Sequence, residues 1–170
     1  MFTALVWSRV DSTRPQFREQ LICHCCRIVT RGDVDTHSKL LVARLWELYA
    51  WPEWNLPMRG MTISKLLRYR AQPAYVSDVQ RSRRRPTRAW DYGRIRYFYE
   101  GLLGGETLDA INVDNCCDFG QIYPEPILLD GHHRLAACHL AGTQIILASY
   151  GGRIDLLRYL TGERKTCPTE

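Results

Sequence analysis

The sequence predicts an α+β fold in which helices flank a small sheet, and three observations carry that expectation. Short apolar runs of strand character, such as Ile127–Leu129 and Gln144–Ser149, are interspersed with stretches of helical periodicity, such as Trp90–Leu103. One stretch, Pro126–Gly142, contains a strand, a tight turn and a helix in immediate succession. At 170 residues with 45% apolar content, the chain can bury one proper core and forms one domain with an extension.

In chain order, Phe2–Val10 and Leu21–Val29 read as strands, rich in Val, Ile, Leu, Phe and Trp between polar breaks. From His37 to Ala50 the residues Leu41, Leu45, Leu48 and Tyr49 recur at helical spacing, with Asp35 or Thr36 as the cap and Pro52 as the stop. A tryptophan cluster at its end, Trp46, Trp51 and Trp54, reads as core packing. A second helix is expected over Thr62–Ala71, ended by Pro73, and a short strand over Tyr75–Val79. Trp90–Leu103 is a helix through Ile95, Phe98 and Leu102, stopped by Gly104-Gly105. Leu108–Val113 alternates like a half-buried strand, and Asp114-Asn115 begins a loop through Gly120. A strand resumes within Gln121–Leu129, interrupted by Pro124 and Pro126. After the helix His132–Ala141 come the strand Gln144–Ser149, a turn at Gly151-Gly152, and a last helix Ile154–Leu160 capped by Gly162.

The net charge of +5 conceals its distribution. Residues 1–58 carry seven basic and six acidic groups, residues 97–170 five and ten, and residues 59–96 eleven basic groups against Asp78 and Asp91 alone. The densest part, Arg81-Ser82-Arg83-Arg84-Arg85-Pro86-Thr87-Arg88, cannot be core, and Arg81, Arg83, Arg84, Arg85 and Arg88 form a candidate DNA-binding segment. Its bland reading is a solvated loop. Seven cysteines, an odd number in a chain large enough not to need staples, favour reduced, buried thiols over zinc or disulfides. No run reaches membrane-spanning length and Met1–Val10 lacks a signal-peptide core, so the expected location is the cytoplasm.

The chemistry concentrates at Asp130-Gly131-His132-His133-Arg134. A helix that opens directly after a buried strand points unpaired N–H groups and the positive end of its dipole outward, which suits an anion. Arg134 can donate two hydrogen bonds to a phosphate, and His132 and His133 can donate or shuttle a proton. The same residues also allow a two-residue hairpin, or a helix with both histidines merely solvated. Asp130 and Asp114 each end an expected strand directed at this turn, with Glu106 on a loop as a further carboxylate; Asp130 is the candidate metal ligand.

Asp130-Gly131-His132-His133-Arg134-Leu135-Ala136-Ala137 resembles the phosphate box of the ParB/sulfiredoxin superfamily, which includes ParB-like nucleases. The preceding Asp109-Ala110-Ile111-Asn112-Val113-Asp114 is similar to that family's Pro-Ile-x-Val passage, with Ala110 in place of the proline. The resemblance covers roughly residues 74–160 and implies a ParB/sulfiredoxin-like small mixed sheet in a domain of residues 74–162; residues 1–73 are not explained by it and are expected to form an N-terminal α/β extension packed on that core, with a tail at 163–170. The resemblance also implies phosphate binding by Gly131, His133 and Arg134. His132 stands where sulfiredoxin has its nucleophilic cysteine, which argues against sulfinic-acid repair. Short members of the superfamily include plasmid fertility-inhibition effectors of the oncogenic-suppression type, described as ATPases and DNases.

The function expected on this basis is a hydrolase of ATP or another nucleoside triphosphate, with Mg2+, that binds DNA and cleaves it, with Asp130, His132, His133, Asp114 and Glu106 as catalytic candidates. Two alternatives stand beside it. One is a non-catalytic module acting on a protein of a secretion or conjugation machine. The other is a ββα-metal nuclease built on His132 and His133, for which only His139 is available as a later ligand.

Overall fold

The computed structural model describes residues 28–29, 37–48, 61–73, 87–116 and 122–168. The expected strands at Phe2–Val10 and Tyr75–Val79, most of Leu21–Val29, and Arg81, Arg83, Arg84 and Arg85 lie outside the described residues.

Among the described residues the fold is mixed α+β, with a sheet four strands wide. The strands are β1 (Ile28–Val29), β2 (Ser38–Leu41), β3 (Ile111–Cys116), β4 (Ile122–Asp130) and β5 (Ile145–Arg153). β5 is central: β2 and β1 pair antiparallel with successive parts of one of its edges, β3 pairs parallel with the other, and β4 pairs antiparallel with β3. Among the described residues β4 pairs only with β3, and Pro124 and Pro126 are tolerated in it because an edge strand can lose ladder donors.

The helices are α1 (Val42–Leu48), α2 (Ile63–Leu66), α3 (Arg88–Leu103), α4 (His132–Leu140) and α5 (Ile154–Thr161). Strand alternation sends Leu40, Ile111, Val113, Leu128, Ile146, Ala148 and Tyr150 to one face of the sheet, where Leu45 of α1, Leu135 and Cys138 of α4, and Leu156 and Leu160 of α5 close over them. The opposite side of α4, Ala136 and Ala137, packs on Tyr92, Ile95 and Tyr99 of α3 together with Leu66 of α2. Alanines there let α3 approach α4 closely. α4 is thus gripped on two sides and cannot shift without disturbing both clusters.

Several boundaries differ from the sequence expectation. Ser38–Leu41 is strand rather than helix, because its ladder with Ile145–Ala148 outweighs the local helical spacing. α2 is one turn long instead of running to Ala71. Thr62 caps it, accepting a hydrogen bond from Lys65 N (3.3 Å), but the carbonyls of Leu67 and Tyr69 accept from Arg96 of α3 (2.9 and 2.8 Å) rather than from a continuing helix. Asp114-Asn115 and Gly151-Gly152 are strand, not loop and turn. α3, β4, α4 and α5 lie where the sequence places them, and α5 ends at Gly162 in the left-handed conformation.

Candidate functional site

The turn from β4 into α4 is fixed by Gly131. Its φ of +100° lies in the left-handed region, and an added Cβ would sit 2.3 Å from Ile111 Cγ2. No other residue satisfies both conditions. As the N-cap, Gly131 also supplies no side chain to the first turn of α4, so the backbone amides there carry no side-chain cap.

Asp130 and Arg134 satisfy each other across this turn. Asp130 Oδ1 accepts from Gly131 N (2.7 Å) and Oδ2 from Arg134 Nη2 (2.7 Å). The Asp130 carboxylate therefore occupies an anion position at the start of α4, and its side chain is 74% exposed there. Arg134 is 12% exposed, and its Nη1 donates to the carbonyls of Asp109 and Ala110 (3.1 and 3.0 Å), bracing the chain as it enters β3.

The two histidines have unlike settings. Burial pushes the His132 imidazole down to about 4; His133 acts in the same direction and Asp130 opposes it. His132 is therefore neutral at pH 7 and adds no positive charge for a phosphate. His133 donates from Nε2 to Asp91 Oδ1 (2.9 Å), with both side chains more than four-fifths buried. Trp90 lies edge-on to His133 (5.4 Å between ring centres, 81° between planes). Its Nε1 is buried and makes no hydrogen bond among the described residues.

Asp91 sits in the first turn of α3, whose cap Thr87 accepts from Trp90 N (3.2 Å) and whose first residue is the exposed Arg88. The Asp91–His133 bond thus joins the starts of two helices. It brings the end of the arginine segment to the turn at Gly131, since Arg88 precedes Asp91 by less than one helical turn. Asp91 and Trp90 were not among the residues expected from sequence. The available signal was that Asp91 is one of only two acids in the basic stretch 59–96.

Asp114 and Glu106 are not brought to this turn. Asp114 lies opposite Ile127, on the sheet face away from α4, and leans toward Gly151 of β5, where an added Cβ would meet its Oδ2 at 3.0 Å. Glu106 folds back on Gly101, at the far end of α3 from Asp91. His139 stacks on Trp46 (4.1 Å, 7°), roughly 10 Å along α4 from His132, so the three histidines do not converge as a ββα-metal site would need. Among the described residues no group of three or more His, Cys, Asp or Glu is placed to hold a metal ion. Each oxygen of Asp130 accepts one hydrogen bond, and Asp91 is bonded to His133. The Cys138 thiol is buried and pushed up to about 11 by that burial, which leaves it packed and unreactive.

Comparisons with protein-family models, with curated proteins and with solved structures find no match to this chain.

Proposed function

We propose that the chain is a nucleotide-binding hydrolase of the ParB/sulfiredoxin kind that also engages DNA, with phosphates seated at the start of α4. The observation that carries this reading is the Asp91–His133 bond, which couples the phosphate-box turn to the helix emerging from the arginine segment. The phosphate takes the position of the Asp130 carboxylate, against Gly131 N–H and Arg134, where the helix dipole and a guanidinium both favour negative charge. With Nε2–H held by Asp91, His133 presents Nδ1 as the proton acceptor for an attacking water. Magnesium belongs to the triphosphate in this reading, and no step depends on a metal held by the protein. A role in blocking DNA transfer rests on family resemblance alone.

A second reading has an observation of its own. Arg134 makes three hydrogen bonds inside the protein, so the box is also a complete structural brace, as a non-catalytic interaction module would retain.

Purified chain assayed for triphosphate binding and turnover, and for DNA cleavage with a chelator control, separates the two. Hydrolysis is expected, with His133→Asn lowering turnover on the order of 100-fold while binding persists. Asp130→Asn removes a competing carboxylate and is expected to tighten triphosphate binding several-fold. Absence of binding by the parent chain, or weaker binding by Asp130→Asn, would overturn the phosphate site.

A further inference from the structure

Residues 67–73, which follow α2, are strapped to α3 with unusual thoroughness. Arg96 Nη1 donates to the carbonyls of Leu67 and Tyr69 (2.9 and 2.8 Å), and Arg94 Nη1 to those of Gln72 and Pro73 (3.2 and 2.6 Å). Gln72 N donates to Gly93 O (2.9 Å), and Gly93 permits the approach, since an added Cβ would stand 2.6 Å from Arg70 O. Arg94 is 5% exposed, with Phe98 against its guanidinium at 4.5 Å. Arg96 is further committed to Glu100 at 2.6 Å.

Two arginines and a glycine are therefore spent on fixing the backbone of one short segment. What that backbone presents outward is Arg68 and Arg70. Both are exposed, and neither side chain makes a hydrogen bond or ion pair among the described residues. Cations on a preorganised backbone lose less entropy on binding than cations on a free loop.

We propose that Arg68 and Arg70 form a rigid surface for the phosphate backbone of DNA, separate from the anion position at the start of α4. Nucleic acid is the partner these observations favour: the stretch 59–96 carries eleven basic groups against two acids, and Asp91, one of those acids, is already bonded to His133. The inference rests on the DNA-binding part of the proposed function and extends it to a surface outside the arginine segment.

The test is the salt dependence of duplex DNA binding by the full chain and by Arg68→Ser/Arg70→Ser. Two lost phosphate contacts should reduce the slope of log affinity against log salt by about 1.8, so the loss of affinity between 50 and 200 mM salt shrinks by about tenfold. Arg68→Lys/Arg70→Lys should restore most of that slope. Arg158→Ser/Lys165→Ser removes the same net charge from α5 and the tail, and should leave the slope unchanged. If the parent binds DNA but Arg68→Ser/Arg70→Ser keeps the parent slope, or if the control pair lowers it equally, this surface is excluded and only the wider reading stands. A parent chain that binds no duplex overturns both. Triphosphate affinity should be the same in all three variants, and a change there would show that the two sites are one.

Discussion

The His132 imidazole, held down at about 4 chiefly by burial, ties the first turn of α4 to the stability of the whole fold. In the unfolded chain a histidine titrates near 6.5. Below that pH the unfolded state binds a proton that the folded state refuses, so stability falls as pH drops from about 6.5 to about 4 and the effect is complete below that. The shift corresponds to a contribution on the order of 3 kcal/mol, all of it present at pH 7. Replacing His132 with Gln should flatten the difference between urea melts at pH 7 and pH 4.5 by roughly that amount. An equal acid sensitivity in parent and variant would show that His132 does not carry it. His133, one residue on, was legible as a candidate from the motif, but its partner was not. Asp91 is 42 residues away in sequence, and no local pattern records which carboxylate a histidine will meet.

At the scale of the element, the turn from β4 to α4 is the part most fully written in the sequence. Asp130-Gly131 followed by Leu and Ala dictates a left-handed residue and then a helix, and β4, α4 and Gly131 are found there. Gly131→Ala should therefore cost more than the ~1 to 2 kcal/mol of a left-handed alanine, because its Cβ also collides with Ile111. A destabilisation of roughly 3 to 4 kcal/mol is expected by chemical denaturation. In Gly131→Ala/Ile111→Gly the two losses should be clearly less than additive, since the second change removes both the Cγ2 and the Cβ that the added methyl would meet; strict additivity would remove the steric component. Elsewhere local signals pointed the wrong way for a physical reason. Gly151-Gly152 has the composition of a turn, yet the glycines lie in β5 because Asp114 and Asn115 of β3 need the room. At Gly152, with φ +125°, an added Cβ would overlap Asn115 Oδ1, which accepts from Arg153 N at 2.9 Å. Polar pairs and double glycines read as loops when the neighbouring strand is not known. Ser38–Leu41 was missed in the same way, its partner strand lying more than 100 residues on.

For the whole molecule, the consequence is that the described part of the first 73 residues belongs to the same core as the rest. β2 covers one edge of β5 from Ile145 to Ala148, and Leu40, Val42 and Leu45 are buried to 2% exposure or less among residues of β3, α4 and α5. Removing residues 1–73 would strip three side chains worth about 1.5 to 3 kcal/mol each and bare a ladder edge on the central strand. It would also remove the segment that Arg94 and Arg96 strap to α3, and with it the two carbonyl acceptors of the Arg94 guanidinium. The burial term alone is comparable to the 5 to 15 kcal/mol that holds a typical domain together. A chain of residues 74–170 should accordingly lose cooperative thermal unfolding and gain protein-concentration-dependent association through the exposed edge of β5. The measurement is a thermal melt followed by far-ultraviolet circular dichroism, with sedimentation to report association. A monomeric fragment melting cooperatively within a few degrees of the parent would mean that β2 and α1 merely lean on a core complete without them, and that the turn from β4 to α4 needs nothing from the first 73 residues.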